Sequence, residues 1–276
     1  MSGSGERLEV RPPAVAGSFY PAQPEALRGA VDRLLAEADP APVHGVLRGL
    51  IAPHAGYVYS GPIAASAYAV LARASPGPRR IVLLGPSHFV GFKGLALPEA
   101  EALETPLGVV PVDLLAASLP GRFAQVIRSD RAHRREHSLE VQLPFLQRVL
   151  PGGFTVVPMA VGLAPPADVA EVIEALWDLP GTLVLVSTDL SHYLPASEAR
   201  TVDSRTAGLI VNRELEQLEP EMACGHHPLA GLLLAARRRG FSIEPLDLRN
   251  SSDTAGDPEQ VVGYGAFAVV EGGNAR

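Results

Sequence analysis

Short apolar runs alternate with longer stretches of helical spacing along this chain, and this alternation limits the folds that it can adopt. The runs predict buried strands, and the stretches between them predict amphipathic helices. Strands that alternate with helices predict a largely parallel central sheet with helices on both faces. The strand candidates are Gly49 to Ala52, Ile81 to Leu84, Phe154 to Val161, Leu183 to Ser187, Ile243 to Leu246 and Val261 to Val270. The helix candidates are Pro24 to Ala38, Pro62 to Ala72, Ser138 to Leu150, Ala167 to Leu179, Ser197 to Leu215 and Pro228 to Arg239.

The composition favours one domain. Of the 276 residues, 47% are hydrophobic and 19% are charged, which suits a chain with a sizeable core. We find no internal repeat and no low-complexity linker, so we predict a single α/β domain over residues 1–276, with residues 1–11 flexible. The last run, Gly263 to Val270, has no helix after it and is a candidate for an antiparallel closing strand.

Charge and apolar pattern exclude several classes of protein. The net charge is −7 and Lys and Arg are scattered, so we expect no nucleic-acid partner. The one basic cluster, Arg237 to Arg239, falls where a helix should end and complements its dipole. No apolar run reaches the ~18 residues of a membrane span, and the N-terminus lacks the apolar region of a secretion signal. With a single cysteine, these features predict a cytoplasmic protein away from membranes.

Three histidines follow three of the predicted strands. His54, His88 and His192 each lie just past the carboxyl end of an apolar run. Ligands of open α/β sheets bind in the crevice outside the carboxyl ends of the strands. Imidazole is the commonest protein ligand of transition metals and also a general base near neutral pH. The sequence therefore predicts that these side chains converge on one site.

The single cysteine precedes a predicted helix start. Cys224 stands four residues before Pro228, where backbone N–H groups and the helix dipole favour a thiolate. It is a candidate soft metal ligand or nucleophile, with a small buried apolar residue as the alternative. His226 and His227 follow it, and neither is assigned as a ligand because adjacent side chains often point apart.

Residues 133–137 match the His-x-x-Glu-His pattern of inverted zinc proteases. The match lies in a polar, Arg-rich stretch ahead of a helix start, which argues against that class. We interpret His133 as part of a charged loop and expect His137 and Glu140 to face the crevice. No phosphate-cradling glycine loop and no Gly-x-Ser-x-Gly elbow is present, which counts against nucleotide cofactors and acyl transfer.

Five motifs in order resemble those of one family. They are Val15-Ala16-Gly17-Ser18-Phe19-Tyr20-Pro21, Ala52-Pro53-His54-Ala55-Gly56-Tyr57, Gly85-Pro86-Ser87-His88, Glu136-His137-Ser138-Leu139-Glu140-Val141-Gln142-Leu143-Pro144 and Cys224-Gly225-His226-His227-Pro228. Together they resemble the Memo family, known in prokaryotes as AmmeMemoRadiSam system protein B. The resemblance implies a fold like that of class III extradiol dioxygenases, which hold non-haem Fe(II) with two histidines and a carboxylate.

The resemblance also implies roles for six residues. His54, His88 and Cys224 would bind the metal, and His192 would be the neighbouring catalytic acid or base. Asp189 and His137 would orient the ligands from behind. Cys224 stands where the dioxygenases have a carboxylate, and a thiolate is softer and oxidisable. Fe(II) is the expected cofactor, with Cu or Zn as alternatives.

Three functions follow as hypotheses. The first is a metal-dependent oxidoreductase acting on a small, aromatic or chelating substrate. A pocket lined by Tyr57, Tyr59, Phe89 and Tyr193 would suit such a substrate. The others are a non-catalytic protein that handles metal or binds a partner peptide, and a zinc hydrolase. The family name further implies a radical S-adenosylmethionine partner protein.

Overall fold

The computed structural model of the chain describes residues 8–74 and 77–272. The strands found there are β1 (Val10–Arg11), β2 (Val46–Ala52), β3 (Arg80–Pro86), β4 (Leu95–Leu97), β5 (Ala102–Thr105), β6 (Gly108–Pro111), β7 (Val126–Arg128), β8 (Thr155–Val161), β9 (Thr182–Ser187), β10 (His192–Leu194), β11 (Ser242–Asn250) and β12 (Val261–Glu271). The α-helices are α1 (Pro24–Glu37), α2 (Tyr57–Ala72), α3 (Leu119–Arg122), α4 (Asp130–His133), α5 (Leu143–Val149), α6 (Pro166–Trp177), α7 (Ala196–Asn212) and α8 (His226–Arg239). Short 3₁₀ turns lie at Leu114–Ser118, Glu140–Gln142, Leu215–Gln217, Pro220–Met222 and Ser251–Asp253.

A nine-stranded mixed sheet forms the centre of the molecule. Its order is β10-β12-β2-β9-β3-β8-β4-β7, and β11 pairs with β12. The four strands β2, β9, β3 and β8 are parallel neighbours, as the strand–helix alternation predicts. β12 runs antiparallel to β2, which confirms the predicted closing strand.

The strands of the parallel core are buried on both faces. In β3, Val82 and Leu84 pack into the core under α6, α7 and α8, whereas Ile81 and Leu83 pack into the core under α1, α2 and α5. This is the period-2 alternation of a strand covered on both sides. The mixed α/β class with helices on both faces is therefore confirmed.

Two helix starts differ from the prediction. α2 begins at Tyr57, so Pro62 lies inside the helix and not in its first turn. The N–H that Pro62 lacks would have bonded the carbonyl of Val58, a residue that is 63% exposed, where water can replace the bond. The helix predicted from Ser138 begins at Leu143, because the polar side chains before it are held by other parts of the chain.

The N-terminal segment is more ordered than predicted. Residues 1–7 of the expected flexible stretch lie outside the described residues, but Val10–Arg11 forms a strand parallel to β5. With β6 these strands make a small second sheet. The sequence signal is weak because these strands have only two to four residues. Arg11 is buried, with an exposure of 9%.

The parallel core brings three strand ends to one edge. Ala52 of β2 is in register with Ser187 of β9, and Leu84 of β3 with Val186. The loops that follow these strands therefore leave the sheet side by side, which is where a crevice forms in open α/β sheets. Among the helices in the described part of the chain, none combines the length and the apolar character needed to cross a membrane.

Candidate metal centre

Three of the predicted ligands meet at this edge. One ligand atom each of His54, His88 and Cys224 lies within 4.8 Å of the other two. The Sγ of Cys224 is 3.4 Å from Nε2 of His54. A tetrahedral zinc ion, with about 2.3 Å to sulfur and about 2.0 Å to nitrogen, separates two such ligand atoms by roughly 3.5 Å. The donor set and its spacing thus fit a transition-metal ion.

The tautomer of His54 is set by a relay of hydrogen bonds. The side-chain amide of Gln142 donates to the carbonyl of Pro53 (2.9 Å) and to Oγ of Ser187 (2.7 Å). That hydroxyl in turn donates its only proton to the carbonyl of Ser138 (2.6 Å). It can therefore only accept at its contact with Nδ1 of His54, 2.8 Å away. Nδ1 carries the proton, and the Nε2 lone pair faces Cys224.

A buried carboxylate orients His88. Oε1 of Glu136 lies 2.9 Å from Nδ1 of His88, and Glu136 also accepts backbone N–H groups of His88, His137 and Ser138. Burial opposes ionisation of Glu136, but these hydrogen bonds outweigh it and lower its pKa to about 2. Nδ1 of His88 thus donates to a carboxylate, which leaves Nε2 for a metal, as in carboxylate–histidine–metal sites.

Cys224 is fixed by the loop after β9. Its Sγ accepts the backbone N–H of Asp189 at 3.3 Å, and its own N–H donates to the Asp189 carbonyl at 3.2 Å. Burial, together with the charge of Asp189, raises the pKa of the thiol to about 12, so the thiol is protonated at neutral pH. At Gly225 an added Cβ would lie 2.6 Å from Cβ of Thr188, so the close approach of the two loops requires glycine.

Asp189 connects two of the ligand loops. Its Oδ1 accepts the backbone N–H of His54 at 2.7 Å, and its main chain holds Cys224. Burial raises the pKa of Asp189 despite that hydrogen bond. Asp189 thus contacts the main chain of His54 and the side chain of Cys224, and its role in orienting the ligands stays a prediction.

His137 packs directly on the ligand histidines. Its ring stacks on His88 with centroids 4.8 Å apart and lies edge-on to His54 at 5.6 Å. Burial and the neighbouring imidazoles lower its pKa to about 4. With His88 and Glu136 it forms a second set of metal-capable groups whose ligand atoms lie within 4.8 Å. His137 therefore lies beside the ligands, where a neutral imidazole can pack against them or act as a further metal ligand.

His192 lies near the three ligands but is not one of their group. Its Nδ1 donates to the carbonyl of Leu190 at 2.8 Å, so Nε2 is the free base nitrogen. Burial, with the neighbouring imidazoles of His88 and His192, lowers the pKa of His54 to about 3. Its predicted acid–base role stays a prediction.

Two sequence interpretations of polar residues are wrong, and one polar residue of the site was missed. His133 is buried and its Nε2 lies 2.7 Å from the Ala96 carbonyl, so it does not belong to a charged loop. Glu140 does not face the crevice; it pairs with Arg11 at 2.7 Å and accepts the hydroxyl of Tyr20 at 2.6 Å. Sequence reasoning did not assign a role at the site to Glu136. The available signal was its place between His133 and His137.

Two further histidines and four aromatic side chains were also considered for the crevice. Nε2 of His226 lies 2.9 Å from the Leu218 carbonyl, and Nδ1 of His227 lies 3.1 Å from the Ala164 carbonyl. Of the four aromatics expected in a pocket, Tyr57 is wrongly assigned, because it is buried and donates to the Val141 carbonyl. The exposed large aromatics are Tyr59, Phe89 and Tyr193. Tyr193 follows His192 and has the rare left-handed φ of 59°.

The fold and this site define an α/β protein with a histidine- and cysteine-lined crevice at the carboxyl ends of its parallel strands. The family model of the Memo-like protein matches residues 11–268. A MEMO1 family protein of Methanopyrus kandleri is 38% identical, over 95% of this chain and 99% of its own length. A MEMO1 family protein of Methanosarcina barkeri is 36% identical, over 94% and 100%. The chain belongs to the Memo-like family.

A solved structure agrees with the fold. An uncharacterized protein of Escherichia coli K12 superimposes with a TM-score of 0.52, at 16% sequence identity, over 81% of this chain and 99% of its own. At this identity the likeness concerns the architecture alone.

Proposed function

We propose that this protein is a non-haem metal-dependent oxidoreductase, similar to the dioxygenases, in which His54, His88 and Cys224 hold Fe(II). The observation that carries the proposal is the approach of these three donor atoms to within 4.8 Å of one another. Two neutral imidazoles and a thiol that can ionise on binding are donors for iron, copper or zinc.

The hydrogen bonds behind the ligands support this assignment. Ser187 holds His54, and Glu136 holds His88, each through Nδ1, so both Nε2 lone pairs are free. Metal-binding histidines in proteins typically have such a partner at the second nitrogen. Two histidines that served only to fill the core would not need a hydrogen-bond partner that fixes the tautomer of each ring.

When bound, Fe(II) would supply Lewis acidity and electron transfer to O₂. His192, with Nδ1 held by the Leu190 carbonyl, would take up or deliver a proton at Nε2. His54 is buried, whereas His88 is on the solvent side, so a substrate would approach past His88. The exposed ring of Phe89 beside His88 would exclude water there and bind an aromatic substrate.

A metal-handling protein without turnover is the second candidate. The thiol of Cys224 favours it, because a sulfur ligand shifts preference toward Cu(I) and Zn and is itself oxidised by O₂ chemistry. This candidate needs the three ligands but gives His192 no task.

The His192→Ala variant separates the two candidates. We expect it to keep the metal content of the wild type and to lose O₂-dependent turnover of a panel of catechols and other chelating aromatics. The exposed His44 is the matched control, and His44→Ala should keep both properties. Equal O₂ uptake by His192→Ala and the wild type would contradict the proton-transfer role. Metal binding without turnover in either protein would favour metal handling.

A partner in the radical S-adenosylmethionine class stays a prediction from the family resemblance. Co-purification of the full chain with such an enzyme from the same genome tests it.

A further inference from the structure

Three arginines lie on one side of the chain next to the candidate metal centre. Arg131, Arg134 and Arg135 follow the cap residue Ser129 at the start of α4. Arg131 lies in α4 and Arg134 caps its end three positions later, which places these two on the same face of the turn, and Arg135 follows directly after the helix. All three residues are exposed. They form a second basic cluster besides Arg237 to Arg239.

The two clusters differ in their partners. Arg237, Arg238 and Arg239 each form an ion pair, with Glu216, Glu174 and Asp178 respectively. In contrast, within residues 8–74 and 77–272 no carboxylate lies within the 4.0 Å of an ion pair from the second cluster. A chain of net charge −7 thus has a local surplus of positive charge beside its crevice. Such a surplus attracts anions.

The second cluster surrounds a cavity next to the ligand histidines. The cavity has a volume of about 240 Å³ and is lined by Phe89, Val90 and the three arginines. The guanidinium of Arg135 lies over the Phe89 ring, 4.8 Å from its centroid. The other neighbours of that ring are His88 and His137, with centroids 6.4 Å and 6.0 Å away. One aromatic ring therefore separates the arginine cavity from the candidate metal centre.

We propose that this cavity binds the carboxylate or phosphate group of a small ligand. The further statement that the other end of that ligand reaches the metal centre rests on the proposed function. Guanidinium groups present paired N–H donors that match both oxyanions, and no acidic side chain competes for them here. The stacking of Arg135 on Phe89 holds one donor group in place.

The volume of the cavity is large enough for one end of a ligand but too small for a whole drug-sized molecule. Sites that enclose a drug-sized molecule measure about 300–1,000 Å³. A cavity of about 240 Å³ suits one charged group and the atoms next to it. The inferred substrate class is an anionic small molecule with a chelating or aromatic end.

The test is calorimetry on the metal-free protein with two probes, inorganic phosphate and benzoate. Metal-free protein is used because phosphate can bind a metal ion directly. The variant is Arg131→Gln with Arg134→Gln. The control is Arg33→Gln with Arg205→Gln, which changes the net charge equally at exposed positions of α1 and α7.

We expect the wild type and the control to bind at least one probe, and the cavity variant to bind it at least about tenfold more weakly. The probe that binds more tightly identifies the group. Three results would overturn the proposal: neither probe binds with a Kd below about 10 mM, the cavity variant binds as tightly as the wild type, or the control weakens as much as the variant. Metal content is measured in parallel. A wild type without metal refutes the proposed function and leaves the anion result standing.

Discussion

The two ligand histidines of the candidate centre are oriented by different chemistry. His54 donates to a neutral hydroxyl that is itself fixed by Gln142, whereas His88 donates to the ionised carboxylate of Glu136. Burial disfavours the protonated form of His88, but the hydrogen bond and the charge of Glu136 outweigh it, so the pKa of His88 is raised. The two imidazoles thus offer lone pairs of different basicity to one ion.

Replacing Glu136 tests this orientation. In Glu136→Gln the carboxylate charge is lost and the ring of His88 is held less firmly. We expect metal affinity to fall about 10–100-fold, the usual effect of losing such a partner. Competition with a chelator of known affinity measures it. Glu104→Gln, at an exposed strand position, is the matched control. Unchanged affinity in Glu136→Gln with a normal melting temperature would contradict the role.

Among the elements, strand β1 contacts the loop that carries Glu136 and His137, through the side chain of Arg11. Arg11 donates to the carbonyls of His133 (2.8 Å) and Glu136 (2.6 Å) and pairs with Glu140 at 2.7 Å. Glu140 also accepts the backbone N–H groups of Ala14 and Val15, at 2.7 and 3.0 Å. The ion pair is buried and its hydrogen bonds are satisfied. We expect the main effect of this ion pair to be that it fixes the position of the loop with Glu136, which contacts His88.

Breaking that pair should be costly. Arg11→Met leaves the carboxylate of Glu140 buried without its cation, and such losses cost about 3–5 kcal/mol of unfolding free energy. Arg148→Met removes an exposed pair with Asp32 and should cost about 1 kcal/mol or less. Urea unfolding of the metal-free variants measures both. Equal and small losses would show that the buried pair does not fix the segment.

The elements that could be predicted from the sequence are those with strong periodicity. β3, β8 and β9 and helices α1 and α6 were predicted within a residue or two at most ends, because buried strands and amphipathic helices leave long patterns. The short strands β1, β4, β5, β6, β7 and β10 were missed, since two to four residues carry too little of a period to be recognised.

Part of the site, the three histidines after strands, could likewise be predicted from the sequence. The position after a parallel strand pointed to His54, His88 and His192, because strand direction alone brings such residues to one edge. Glu136 and Ser187 could not be assigned this way. Their roles depend on contacts across 48 and 133 positions of sequence, which no local pattern encodes.

At the scale of the whole molecule, sheet topology converts separate loops into one site. The order β2-β9-β3 makes neighbours of strands that are far apart in the chain. Cys224 reaches the same edge from the turn before α8, where its loop packs on Thr188. The metal-free site keeps this cysteine as a thiol, because burial raises its pKa to about 12.

Metal binding should therefore release a proton. The thiol is protonated below its raised pKa and a bound metal requires the thiolate, so each ion displaces one proton from Cys224 at neutral pH. Affinity should rise with pH, by about tenfold per pH unit for one displaced proton. Calorimetry in buffers of different ionisation enthalpy counts the protons. Cys224→Ser should release about one fewer proton at the same pH. Proton release that is equal in both proteins would contradict ligation by the thiol.

Anaerobic Fe(II) titration tests the proposal that His54, His88 and Cys224 hold one metal ion. The wild type and the exposed control His44→Ala should bind one equivalent. His54→Ala and Cys224→Ser should bind at least about 100-fold more weakly while remaining folded. Absence of binding by the wild type, or full binding by both ligand variants, would contradict the account.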